Sequence, residues 1–281
     1  MEEIKTIEAK VLQFYEHINQ IQLLQDDQSF NDGVPSMSME NRTMVDEEIT
    51  VGFDDEALTI KKLLAGGKKQ LQFTNDINCW DAWTRTPFLT KLGICGQLSS
   101  DSENWMFLNL EFLRHLETLK LCNDFFPEYP VTLGEVKFPA NIKRLTLKYT
   151  RIEWEEISVL GMMLPNIELL KLENNAAWGQ QWATTDGGFP RLKFLKLKYL
   201  NVKQWITCST HFPSLQHLLL DGCIFLEEIP SSFGDILTLQ MIEVNYCLST
   251  VVESARKIKE EQESIGNNSL KVLIRKYPWA L

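Results

Sequence analysis

Residues 192–220 read LKFLKLKYLNVKQWITCSTHFPSLQHLLL and carry the pattern LxxLxL twice, at Leu192, Leu195 and Leu197 and again at Leu215, Leu218 and Leu220. The last two apolar residues of each copy are separated by a single residue. That is the spacing of a β-strand which turns alternate side chains to one side. Two copies precede residue 192 by 25-residue steps, Ile142/Leu145/Leu147 and Ile167/Leu170/Leu172. Two more lie earlier still, at Leu89/Leu92/Ile94 and Leu116/Leu119/Leu121, and one follows at Leu239/Ile242/Val244. Successive first anchors are offset by 27, 26, 25, 25, 23 and 24 residues, so one strand recurs with each pass of the chain.

A period of roughly 20–29 residues with this template is that of a leucine-rich repeat. The expected fold is therefore α/β: a leucine-rich-repeat solenoid, curved, with a parallel sheet on its concave face. One such repeat cannot bury its own apolar edge, so stacked repeats share a continuous core. The ninth position of each repeat, where a small polar group holds backbone leaving the strand, reads Gln97, Asp124, Thr150, Asn175, Leu200, Cys223 and Cys247. Pro165, Pro190 and Pro213 precede the anchors and break the outer segment before the strand. After Val244 the pattern changes to VVESARKIKEEQESIGNN, a helix with Val251, Ala255, Ile258 and Ile265 on one side. It is the expected C-terminal capping helix, followed by a short strand at Leu270, Val272 and Ile274.

The 281-residue chain carries its charge unevenly. Residues 1–56 hold 14 acidic and 3 basic residues, and the other 225 hold 24 and 25, so the net charge of −10 resides at the N-terminus. No surplus of Lys and Arg is available to neutralise phosphates, which excludes a chain-wide nucleic-acid role. Ile4, Ile7, Val11, Tyr15, Ile18 and Ile21 recur every three or four residues and predict an amphipathic helix over 3–24. Residues 25–46 are acidic and without period, as in a linker. A short helical pattern at Ala57, Ile60, Leu63 and Leu64 ends at Gly66-Gly67. The expected domains are thus 1–24 (helix), 25–72 (acidic linker and the segment after it) and 73–281 (repeats and cap). No run approaches the roughly 18 apolar residues needed to span a bilayer. With six cysteines and no CxxC, a cytoplasmic location is expected, either free or peripheral at membranes.

The motifs of catalysis are missing from the sequence. There is no GxxxxGK[ST], no HExxH and no GxSxG, and the run Ala65-Gly66-Gly67-Lys68-Lys69 lacks phosphate-loop spacing. Cys208 and Cys223 stand 15 residues apart without paired partners, a poor zinc pattern. Catalytic residues, metal ligands and cofactors are accordingly expected to be none. Of the tryptophans, Trp80 and Trp83 read as a cap before the first repeat. Trp154, Trp178, Trp182 and Trp205 fall on the outer arcs, where core packing is the expected role.

The residues flanking the inward anchors point to the open side of the sheet. One column reads Thr118, Arg144, Leu169, Phe194, His217, Met241, and the next reads Lys120, Thr146, Lys171, Lys196, Leu219, Glu243. The third, Cys122, Lys148, Glu173, Lys198, Asp221, Asn245, alternates charge and satisfies itself. Lys171 and Lys196 stand side by side, a juxtaposition costing roughly 0.8 kcal/mol at about 5 Å in water before screening. Leu169, Phe194, Leu219 and Met241 form an apolar patch rimmed by Arg144, Lys171 and Lys196, with His217 among them. Exposed apolar surface with a charged rim marks a protein-binding site. The competing expectation is that acidic residues 25–56 cover the patch.

Two stretches carry a family resemblance. EEITVGFDDEALTIKKLLAGGKKQLQ (47–72) resembles the entry to the nucleotide-binding domain of plant nucleotide-binding leucine-rich-repeat immune receptors, specifically the late-blight resistance type of the nightshade family. FPSLQHLLLDGCIFLEEIPSSFGDILTLQMIEVNYC with SARKIKEEQESIGNNSLKV (212–272) is similar to the last repeats of the same receptors, and residues 3–24 to the end of their coiled-coil region. The resemblance implies a role in plant defence and the hypersensitive response, with pathogen-derived or host receptor proteins as partners. It also exposes a departure: in the family Gln72 leads into the phosphate-binding loop, and here it leads through Phe73 to the first repeat. Val51, Gly52 and Phe53 would lie beside adenine in the family, but without a phosphate cradle they are not expected to bind nucleotide. The chain thus resembles a receptor lacking most of its nucleotide-binding domain. The alternatives are a generic repeat scaffold and a truncated fragment with no function of its own.

Overall fold

A computed structural model describes residues 50–51, 70–74, 89–96, 110–123, 133 and 136–276. The chain divides into two units, Met1–Asp46 and Glu47–Leu281, and every described residue belongs to the second. The expected helix over 3–24, the linker over 25–46, the helical pattern at 57–64 and the Trp80/Trp83 cap lie outside the described residues.

Strands β1 (Thr50–Val51), β2 (Gln70–Thr74), β3 (Lys91–Gly96), β4 (Thr118–Asn123) and β5 (Arg144–Lys148) follow one another in chain order. After β6 (Ile152–Glu153) and helix α1 (Trp154–Met163) come β7 (Leu169–Glu173), β8 (Ala177–Trp178), β9 (Gln181–Ala183) and β10 (Phe194–Lys198). Then come β11 (Gln204–Ile206), β12 (His217–Asp221), β13 (Met241–Asn245), helix α2 (Ser249–Ser264) and β14 (Lys271–Arg275). The fold is α/β with a mostly parallel sheet and two α-helices among the described residues. The main sheet has the order β1-β2-β3-β4-β5-β7-β10-β12-β13-β14, and β6 with β8 and β9 with β11 make two short parallel pairs.

The LxxLxL template fixes the register. Leu145, Leu170, Leu195, Leu218 and Ile242 are successive partners across the sheet, as are Leu147, Leu172, Leu197, Leu220 and Val244. All ten are fully buried. Each stabilises the fold by about 1.5–3 kcal/mol relative to exposure, and a one-residue slip would turn the whole row to water. The sheet extends upstream of Leu89, where the sequence template begins. Leu71 and Phe73 of β2 pair with Leu92 and Ile94, and Thr50–Val51 pairs with Gln72–Phe73. β2 keeps the two alternate apolar residues but has Lys68 where the template requires the leading leucine, so the pattern misses it.

A backbone feature recurs immediately after the strands. Tyr149, Asn174, Tyr199, Gly222 and Tyr246 each follow the last residue of a strand, and all have φ between 49° and 63°. The left-handed region costs a non-glycine residue roughly 1–2 kcal/mol. Here the amide of each donates to a carbonyl on the neighbouring segment: Tyr149 to Asn174, Asn174 to Lys198, Tyr199 to Asp221, Gly222 to Asn245 and Tyr246 to Arg275, at 2.8–3.0 Å. Gly222 is also required sterically, since a Cβ there would lie 2.2 Å from the Tyr199 ring. At the ninth position Thr150 Oγ1 donates to Ala176 O at 2.8 Å, holding backbone that has left β7, whereas Cys223 Sγ donates to Leu197 O, still within β10, at 3.3 Å.

Behind the sheet the outer segments stack their aromatic rings. Trp154, Trp182 and Trp205 lie parallel with centroids 4.7 and 4.9 Å apart, one from each successive segment. Phe189 stacks on Phe212 at 5.4 Å, and Phe212 lies 6.1 Å from Phe233. These six rings are buried. Trp178 differs: it is 40% exposed, with the Arg151 guanidinium 3.8 Å above its ring. Helix α1 approaches the next segment so closely at Gly161 that a Cβ would sit 2.1 Å from Gly188 O. Helix α2 buries Val251, Ala255 and Ile258 as the periodicity predicts. Ile265, expected on that same side, is a correction: it lies past the helix end and is exposed. The buried residue on the last turn is Gln262, whose side-chain amide donates to Gly234 O and Ile236 O at 2.6 and 3.2 Å.

Candidate protein-binding face

Strand alternation positions every candidate residue on the side of the sheet opposite the anchors. Arg144, Leu169, Phe194, His217 and Met241 are successive partners in one row, and Lys171, Lys196 and Leu219 are successive partners in the next. Arg144 is exposed and the other seven are half-exposed, in contrast to the buried anchors between them. Leu169 and Phe194 are neighbours across β7 and β10. The His217 ring meets Phe194 edge to face, with centroids 4.8 Å apart.

The charges on this face pair along diagonals as well as rows. Within the third column Lys148 Nζ lies 3.1 Å from Glu173 Oε2, and Lys198 Nζ lies 3.4 Å from Asp221 Oδ2, as the alternation predicts. Lys196 reaches diagonally from the central column to Glu173 Oε1 at 2.7 Å. His217 Nε2 likewise lies 2.8 Å from Glu243 Oε1. Glu173 therefore serves two lysines. Burial pushes its carboxyl up, but the hydrogen bond from Lys196 and the charges of Lys148 and Lys196 outweigh that and hold it below the ordinary carboxylate range. Burial pushes Lys148 down, and the Glu173 carboxylate more than offsets this, leaving its ammonium above the usual lysine range.

The Lys171–Lys196 juxtaposition read from the columns is therefore half resolved. The two residues are register partners, yet Lys196 is paired with Glu173, while Lys171 has no ion pair among the described residues. Among the described residues neither Lys171 nor Arg144 has a carboxylate within ion-pair distance. The column reading missed the diagonal pairs because it compared side chains only at equal height. A lysine stem is long enough to span one strand and two residues, and Lys196 with Glu173 one repeat earlier was the available signal. Of the segment expected to lie beside adenine, Val51 pairs with Phe73 in the sheet, and Gly52 and Phe53 lie outside the described residues.

Fold and face define an α/β protein of sequentially paired parallel strands with one in-register, half-exposed surface. No protein-family model matches the chain. The late blight resistance protein R1-A of Solanum demissum is 38% identical over 168 residues, 59% of this chain. Two putative late blight resistance protein homologs of the same species are each 40% identical, over 174 and 195 residues, or 60% and 68% of this chain. The chain is thus a homologue of the R1-type late blight resistance proteins, the family its sequence resembles. It covers 13–14% of the length of these three relatives.

Proposed function

We propose that the chain is a protein-interaction module of plant innate immunity: a leucine-rich-repeat solenoid, capped at its C-terminal end by α2, that binds through the open face of its sheet. Its partners are pathogen-derived proteins or host immune receptors, and its role is binding without catalysis. In this reading it is a receptor-derived form lacking most of the nucleotide-binding domain and acting in the cytoplasm. No described helix is long and apolar enough to cross a membrane.

The observation that carries the reading is the make-up of the face. Leu169, Phe194 and Met241 are apolar and half-exposed in one row, which His217 completes on β12; Leu219 stands beside them in the next row, and Arg144 and Lys171 at the margin have no ion pair among the described residues. A partner gains there by covering apolar area and by supplying carboxylates to these two cations. The names of the homologues support the setting in disease resistance.

The test is association of the full chain with full-length R1-type relatives, comparing wild type with the double variant Phe194→Ala, Lys171→Glu. Loss of at least tenfold in affinity with an unchanged circular dichroism spectrum is the expected result. Unchanged affinity removes this face from consideration. Lys196 is left alone, because replacing it would strand Glu173 and confound binding with stability.

A further inference from the structure

Away from the open face, on the outer segments, the structure brings a thiol, an imidazole and a carboxylate together. We propose that Asp186, Cys208 and His211 form a binding site for a divalent transition-metal ion of the zinc type. Asp186 follows β9, and Cys208 follows β11 immediately before the 3-10 turn Ser209–His211. The ligand atoms of the three residues all lie within 4.8 Å of one another.

Zinc holds sulfur at about 2.3 Å and nitrogen or oxygen at about 2.0–2.2 Å, so tetrahedral donors stand roughly 3.2–3.8 Å apart. Closing the widest separation of 4.8 Å onto an ion therefore requires a contraction of up to about 1.6 Å. The side chains divide that task. His211 is only 11% exposed and serves as the fixed ligand, whereas the Asp186 side chain is 91% exposed and free to swing inward. His211 Nε2 already faces Asp186 Oδ1 at 3.1 Å. Its other nitrogen, Nδ1, lies 2.7 Å from Thr184 Oγ1, which in turn lies 2.7 Å from Thr207 Oγ1. An imidazole whose second nitrogen is hydrogen-bonded has the orientation of a metal-binding histidine. Nδ1 also accepts from the Cys208 amide at 3.4 Å. With the ion on Nε2 that bond is given up, Nδ1–H donates to Thr184 and the Thr184 hydroxyl donates to Thr207.

Cys208 coordinates as thiolate and releases its proton to solvent. One thiolate, one imidazole and one carboxylate favour zinc over magnesium or calcium, which take oxygen ligands. Three protein ligands leave the fourth position to water. Asp186 and His211 stand 25 residues apart, one repeat of the chain, so the ion crosslinks two consecutive outer segments. The site is invisible to a search for paired cysteines, because its third ligand lies one repeat upstream of the Cys-x-x-His spacing.

Cobalt(II) tests the proposal on the full chain, since a tetrahedral thiolate complex gives intense visible and charge-transfer absorption. The expected result is saturable one-to-one Co²⁺ binding, displaced by Zn²⁺, with the thiolate band lost in Cys208→Ser. Asp186→Asn should weaken Co²⁺ at least tenfold and leave the metal-free thermal melt unchanged, because that carboxylate is almost wholly in water. Thr184→Val, a positioning change, should weaken it about tenfold with the thiolate band retained. Should Cys208→Ser fail to fold, Asp186→Asn still decides the matter. Absence of one-to-one binding by the wild type, a thiolate band retained in Cys208→Ser, or unaltered affinity in Asp186→Asn would each overturn the site.

Discussion

The two ends of the open face use the same residue types and leave them in different states. From β10 to β13 each lysine on this face has its carboxylate, Lys196 with Glu173 and Lys198 with Asp221, and the His217 ring lies against Glu243. On strands β4, β5 and β7 Lys148 is paired, again with Glu173, and Lys143 just before β5 is paired with Glu117, whereas among the described residues Lys120, Arg144 and Lys171 have no ion pair. The difference follows from placement. Among the described residues Glu173 is the one carboxylate within strands β4, β5 and β7 on this face, and its two oxygens are both taken; Glu117, just before β4, is bonded to Lys143. Free charge on a parallel sheet thus depends on whether a carboxylate stands one strand away within reach of a lysine stem. The paired end is already satisfied. Under the proposed function, the end without ion pairs, next to Leu169 and Phe194, is where a partner's carboxylates would gain most.

The largest expected effect lies beneath both ends and gives the scale for the rest. Trp182 is fully buried between Trp154 and Trp205, and Trp182→Ala should cost about 3–5 kcal/mol through lost burial and a residual cavity. Urea melts measure this. A loss below about 1 kcal/mol would mean that the ring stack does not hold the outer segments together.

Glu173→Gln sharpens the contrast directly, since it strips two lysines of their partner. The side chain is about nine-tenths buried while Lys148 and Lys196 are each more than one-fifth exposed. Solvent screening therefore reduces the expected loss to about 1–2 kcal/mol. The pH dependence has a definite sign. The Glu173 carboxyl is held below its ordinary value in the folded state, so its contribution is full above the unfolded value of about 4.3 and is lost as pH falls through the folded value. Melts of wild type and Glu173→Gln should converge as the pH drops below about 4. A gap that stays constant down to the lowest pH would remove the ion pairs as its cause.

The smallest effect separates the ends most cleanly. Lys171→Ala removes a charge with no ion pair among the described residues and should change stability by less than about 0.5 kcal/mol. Lys196→Ala abandons half of the Glu173 pairing and should cost distinctly more, toward about 1 kcal/mol. Equal losses at these register partners would erase the distinction between the ends.

Much of this arrangement was legible in the sequence, and the reasons are particular. Leu195 and Leu197 sit two apart, as do their counterparts in every repeat, so strand, register and buried side follow from alternation alone. The half-exposed rows follow with them. The helix face of α2 was readable through Val251, Ala255 and Ile258, while Ile265 was not, because the helix end depends on local backbone and not on period. β2 escaped because Lys68 occupies the leading apolar position. The diagonal pairs and the Asp186–Cys208–His211 cluster escaped for a shared reason. Both join side chains one repeat apart at unequal heights, and a column reading sees only equal heights.

Phe194 and Leu195 are adjacent in sequence and lie on opposite sides of the sheet, half-exposed and fully buried. The central claim is that one side stabilises the chain and the other binds its partner. The most direct test is the affinity of Phe194→Ala and Leu195→Ala for full-length R1-type relatives, measured where melts show both variants folded. Leu195→Ala, although less stable by about 2–5 kcal/mol, should bind like wild type, and Phe194→Ala should lose at least tenfold. Equal affinities for the two variants, or a loss confined to Leu195→Ala, would contradict the account.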